Sequence, residues 1–121
     1  MTDYSKGLLY LIKHKDDINN ETCYIGSTVN FNGRQNNHKS RCNNENSEAY
    51  NSKKYKYIRE NGGWDDFVML EIEKYPCEYK QELTKREDEV MCQYNVILNE
   101  RRSSRTKEQY YQDTKETRKE Y

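Results

Sequence analysis

Tyr10, Tyr24, Arg34, His38 and Glu87 are the side chains of this chain whose types and order could do chemistry. A phenol can move a proton, a guanidinium grips an oxyanion through a planar fork, an imidazole exchanges protons near neutrality, and a carboxylate holds a hard cation. Hydrolysis of a phosphodiester needs an activated water, positive charge on the non-bridging oxygens and help for the departing 3′ oxygen, and these groups together could supply all three. Each type is common by itself, and with twelve tyrosines in the chain any one of them is more often packing than chemistry. What matters is whether the intervening elements bring them to one place.

Leu8-Leu9-Tyr10 and Tyr24-Ile25-Gly26 lie on two short apolar runs separated by Lys15-Asp16-Asp17-Ile18-Asn19-Asn20-Glu21, a stretch rich in the Asp and Asn that turns favour. The two runs therefore read as an antiparallel hairpin, with Leu8, Tyr10 and Ile12 on one face and the two phenols close together. Asn30 reads as a helix N-cap, and Arg34 and His38 are one turn apart on the helix that follows, with Phe31 near the same stripe. Further on, Tyr79, Leu83, Glu87 and Met91 recur at helical spacing, which puts a carboxylate inside an apolar stripe. An unpaired buried carboxylate is costly, so Glu87 calls for a cation, a donor cluster or an opening to water.

These residues, in this order, resemble the catalytic domain of the GIY-YIG nuclease superfamily. The first motif corresponds to Leu8-Leu9-Tyr10, degenerate at its first two positions although Gly7 stands one step earlier, and the second to Tyr24-Ile25-Gly26, intact. The family's helix Arg is similar to Arg34, its His to His38, its metal-binding Glu to Glu87, and its late Asn to Asn99, with Asn95 the second match. The resemblance runs over roughly residues 7 to 100, and its specificity comes from the order of five separate signals. It implies an α/β fold with a small three-stranded, mainly antiparallel sheet flanked by about three helices. It also implies a divalent cation, Mg²⁺ or Mn²⁺, on Glu87, and DNA as the partner. Gly33, just before the Arg, stands where a stronger helix former is expected, since a helical Gly costs about 0.5–1 kcal/mol relative to Ala.

With 121 residues, 32% of them hydrophobic and 35% charged, the chain has room for one domain with a small core. We expect that domain over residues 1–100, followed by a polar, helix-prone tail or linker over 101–121. Cys23, Cys42, Cys77 and Cys92 lack the close-pair spacing of a zinc site and read as thiols in a reducing compartment. No apolar run approaches a bilayer span, so a soluble, intracellular protein is expected. Net charge is zero, but residues 29–60 hold seven basic and three acidic side chains, whereas 65–90 hold four basic and nine acidic. The first block is the expected phosphate-facing region, with Arg41, Lys53, Lys54 and Lys56 as DNA contacts, and binding through it should weaken with salt. Coarsely, a second helix is expected near 50–61 with Tyr57 and Ile58 inward, and a third strand near 66–73 with Val68, Leu70 and Ile72 on its inner face.

Within the expected site, Arg34 clamps the phosphate and one tyrosine takes the proton from the attacking water. Tyr10 is preferred for that role, with Tyr24 positioning water or phosphate, although the residues themselves permit either. A free phenol titrates near pH 10, so the site has to depress that value through the metal or Arg34. His38 orients a tyrosine or donates to the phosphate, unless it is a surface residue, and Asn99 holds Glu87 or the phosphate, unless it is a turn residue. The leading reading is a metal-dependent DNA endonuclease of the homing or mobile-element type, with target choice supplied by an additional DNA-binding module or partner protein. A repair or junction-cutting nuclease of the same superfamily is the second, though the zinc-binding or further domains such members carry are not recognisable here. A catalytically silent nucleic-acid-binding module is the third, and a carboxylate kept on a buried stripe argues against it.

Overall fold

The structure is a computed structural model that describes residues 2–94, 96, 98 and 99. The tail expected over 101–121, and Asn95, lie outside the described residues. Strand β1, Leu8–His14, is apolar and buried on both faces through Ile12, the pattern of a strand with neighbours on both sides and layers above and below. It pairs antiparallel with β2, Cys23–Thr28, and on its other edge antiparallel with β3, Phe67–Lys74, giving the order β2-β1-β3. Three helices complete the α/β architecture: α1, Phe31–Asn43, α2, Lys53–Glu60, and α3, Lys80–Met91.

Helix α1 begins where the Asn30 side chain accepts from the Gly33 amide at 3.0 Å. That cap explains Gly33: a Cβ there would lie 2.8 Å from Asn30 Nδ2, so a larger residue would push the capping amide away. The helical penalty of this glycine is thus offset by a cap worth about 1 kcal/mol.

The sheet separates two cores. On one face Leu8, Tyr10 and Ile12 pack with Cys42 of α1, with Tyr55 and Ile58 of α2, and with Phe67 and Met69. On the other, Leu9, Leu11 and Ile25 pack with Val90 and Met91 of α3. Helix α3 is further tied to β3 by a fork in which Arg86 Nε and Nη2 each donate to Glu73 at 2.6 Å. With both side chains about a quarter to a third exposed, the fork is worth on the order of 1 kcal/mol.

Three sequence expectations are corrected. The buried face of β3 is Phe67 and Met69, not Val68, Leu70 and Ile72, and Leu70 is 45% exposed. Both faces of this sheet carry helices, but α3 packs chiefly over β2, so apolar alternation in β3 did not say which face is covered. In α2 the buried tyrosine is Tyr55, with Tyr57 only partly buried. Tyr79 precedes α3 as its N-cap and is 63% exposed, so the stripe that α3 buries is Leu83, Val90 and Met91.

Candidate active site

The strand register sets the two phenols together. Tyr10 pairs with Gly26 and Ile12 with Tyr24, so both tyrosines rise from the same face, with ring centroids 6.3 Å apart. The Tyr10 phenol lies across the backbone of β2 at Gly26. A Cβ on that residue would run into the Tyr10 hydroxyl and sit 2.5 Å from Cζ, so the space belongs to a residue without a side chain.

Helix α1 crosses above this face and delivers two groups from one side. Arg34 Nε donates to the Tyr10 hydroxyl at 3.2 Å, and His38 Nε2 lies 2.8 Å from the same oxygen. The other imidazole nitrogen, Nδ1, is 2.7 Å from the hydroxyl of Tyr55. Trp64 stacks on the imidazole at 6.2 Å with 18° between planes, and Tyr24 meets it edge-on at 5.6 Å. Tyr10, His38 and Tyr55 are all completely buried. Tyr55 and Trp64 were not anticipated. The signal for Tyr55 was its i, i+3 spacing to Ile58, which the abundance of tyrosine hid, and the partner of Trp64 depends on tertiary packing alone.

Burial dominates the electrostatics. It raises the Tyr10 phenol, with the neighbouring Tyr24 adding to the rise and Arg34 opposing it. It raises Tyr24 as well, with the Arg34 guanidinium opposing and the Glu87 charge adding to the rise. The Tyr55 hydroxyl is pushed up to about 12, chiefly by burial, while the Arg34 and Arg41 charges pull the other way. His38 is pushed down to about 3 by burial, then by Arg34, Lys54 and Arg41, so its imidazole is neutral at physiological pH. Sequence reasoning required a depressed phenol, whereas the protein groups alone leave both phenols raised.

Of the four basic residues expected to contact DNA, two belong to this cluster. Lys54 Nζ lies 5.1 Å from the Tyr24 ring centroid and 4.6 Å from that of Tyr55, within cation–π range, and the Arg41 charge acts on Tyr55 and His38. Lys53 and Lys56 are exposed along α2. Glu87 is partly buried on α3, and its charge raises both Tyr10 and Tyr24. The carboxylate therefore acts on both phenols although its helix packs on the opposite face of the sheet.

The GIY-YIG catalytic domain model matches residues 6–99. The chain belongs to the GIY-YIG family. Its superfamily is one of nucleases, and the match spans the tyrosine strands, α1 and α3 in a single stretch. No curated protein and no solved structure matches the chain significantly.

In this GIY-YIG domain the late Asn serves the fold directly. Asn99 is buried, its Oδ1 accepts from the Ile25 amide at 3.0 Å, and its Nδ2 donates to the Ile25 carbonyl at 2.9 Å. Its amide thus clamps the strand beside Tyr24 and reaches Met91 Sδ of α3 at 3.5 Å, joining β2 to the helix that carries Glu87. Among the described residues no three His, Cys, Asp or Glu side chains gather as a cation site. Among the described residues the carboxylate whose charge acts on both phenols is that of Glu87, and a lone carboxylate would suit a hard cation that keeps most of its waters. No helix among the described residues is long and apolar enough to cross a membrane.

Proposed function

We propose that this chain is a divalent-metal-dependent DNA endonuclease of the homing or mobile-element type, hydrolysing phosphodiester bonds. The observation that carries the reading is the convergence of Arg34 Nε and His38 Nε2 on the Tyr10 hydroxyl, beside Tyr24, with the charge of Glu87 acting on both phenols. An interaction module without chemistry has no use for that arrangement, because each of its buried polar groups costs desolvation.

Tyr10 and Tyr24 lie side by side, and one of them, ionised beforehand, takes the proton from the attacking water and ends neutral. Tyr10 is the preferred base, because Arg34 Nε donates to its oxygen and so favours the phenolate, while Tyr24, the more exposed of the two, positions the water or the phosphate. Arg34, Arg41 and Lys54 present positive charge to the phosphate and its neighbours, Arg34 through its fork. Glu87 would hold Mg²⁺ or Mn²⁺, which when bound neutralises charge on the non-bridging oxygens. Asn99 is a positioning residue, keeping β2 and α3 in fixed relation. An additional DNA-binding module or a partner protein would supply target choice.

Plasmid nicking with Mg²⁺ tests the reading. Wild type should cut, and Arg34→Ala and Glu87→Ala should each lose about 10²–10³-fold, the loss that follows removal of one transition-state charge contact. Equal cutting by all three proteins would overturn the site, and no cutting by any would leave the silent binding module as the better account. A branched substrate in parallel separates the homing type from a junction-cutting enzyme, which would prefer the branch.

A further inference from the structure

We propose that Lys54 is the general acid of strand cleavage, giving its ammonium proton to the 3′ oxygen as that oxygen leaves phosphorus. The proposal rests on the nuclease reading above, which assigns groups to the attacking water and to the phosphate but none to the departing oxygen.

Helix α2 places this lysine. Lys54 stands one turn before Ile58 and next to Tyr55, both completely buried, so its side chain runs with the covered side of the helix, whereas Lys53 and Lys56 are exposed. Lys54 itself is half-buried, and its Nζ ends 5.1 Å from the Tyr24 ring centroid and 4.6 Å from that of Tyr55. Aromatic faces attract the ammonium and not the neutral amine, so this seat favours the protonated form that an acid needs before the step.

Elimination leads to the same residue. Arg34 and Arg41 carry guanidinium groups, which stay protonated in proteins. His38 is completely buried, with Nε2 against the Tyr10 oxygen at 2.8 Å and Nδ1 against the Tyr55 oxygen at 2.7 Å, so neither nitrogen faces DNA. The Tyr55 hydroxyl lies behind the same burial. Tyr10 and Tyr24 serve the attacking water. In-line displacement puts the departing oxygen on the far side of phosphorus from that water, so base and acid have to come from different places around the phosphate. Tyr10 is held by Arg34 of α1 whereas Lys54 comes from α2, and both are neighbours of Tyr24, Tyr10 at 6.3 Å between ring centroids.

The step balances. The water oxygen bonds to phosphorus and its proton goes to the ionised tyrosine, while the P–O3′ bond breaks with its electron pair on the 3′ oxygen, which takes a proton from Lys54 Nζ. An alkoxide is a far stronger base than an amine, so this transfer runs downhill once the bond has opened. The tyrosine ends as a neutral phenol and Lys54 as a neutral amine, and one proton passed through solvent from phenol to amine restores both.

Sulfur at the leaving position provides the test. The bond that wild type nicks in a plasmid is mapped by primer extension, and two duplexes are made around it, one with the natural linkage and one with sulfur in place of the 3′ oxygen. A thiolate departs without a proton, so an acid matters only for the oxygen linkage. In single turnover with protein in excess, and with Mn²⁺ throughout because it tolerates sulfur, Lys54→Ala and Lys54→Arg should cut the oxygen linkage about 10²–10⁴-fold more slowly than wild type, the size of an acid–base contribution. Both should cut the sulfur linkage at close to the wild-type rate. Equal slowing on the two linkages, or a Lys54→Arg variant as fast as wild type on oxygen, would overturn the proposal, since binding, support of the fold or positive charge alone would then account for Lys54. Lys54→Arg decides the matter if Lys54→Ala does not fold. A wild type that nicks no plasmid would sink the nuclease reading and this step with it, whereas a wild type that nicks beside variants slowed alike on both linkages removes only the acid.

Discussion

Acidification from about pH 7 to about pH 5 should destabilise this domain by about 2 kcal/mol, and most of that loss should trace to one imidazole. His38 is fully buried, and its folded-state value falls from 6.5 to about 3. Between those values the unfolded chain binds a proton at His38 and the folded chain does not. Stability contributed by this group is therefore complete above the unfolded value and is lost as pH falls. At pH 5 the unfolded imidazole lies 1.5 units below its own midpoint, while the folded one is still neutral, and each unit corresponds to about 1.4 kcal/mol. Asp17 and Glu73 are held below the ordinary carboxylate range, so their contributions also disappear on acidification, but at lower pH. Urea titrations at the two pH values give the free energies directly. His38→Gln, less stable throughout, should show a nearly flat response across the same interval. A wild-type protein equally stable at both values, or a His38→Gln variant with the same drop, would refute the reasoning.

Gly26→Ala should cost about 1–3 kcal/mol in a urea titration and should abolish nicking, because the added Cβ occupies the place of the Tyr10 phenol. Since burial raises both Tyr10 and Tyr24, the nicking rate should climb about tenfold per pH unit from neutrality into the alkaline range, and a flat profile would argue against a phenol as the base. Lys54→Ala should weaken DNA binding across all sequences and reduce the slope of log affinity against log salt by about one, measured by fluorescence anisotropy at several salt concentrations.

The sequence was most legible where local rules and a chemical purpose coincide. The hairpin, the Asn30 cap and the shared face of Arg34 and His38 follow from turn composition, side-chain capping and helical spacing, and each is present. Tyr55 was not legible because its role depends on α2 packing against α1, a contact between elements that no local pattern encodes. The covered side of β3 was misread for a related reason: strand alternation reports two faces, and which one a helix covers is a property of the layer above it. Tyr79 was misread because an i, i+4 pattern extends past a helix start as readily as within it, whereas backbone geometry ends the helix at Lys80. The backbone partner of Asn99 was not legible, since Ile25 lies far from it along the chain.

The sheet divides the proposed site between its two sides, since Tyr10, Arg34, His38 and Lys54 sit with α1 and α2 while Glu87 arrives from α3. A partly folded chain in which α3 has peeled away would keep the phenol–imidazole assembly and lose the acidic side chain. Catalytic competence in this small domain would thus work as a sensor of complete layer assembly, silent in half-formed molecules that could otherwise damage DNA.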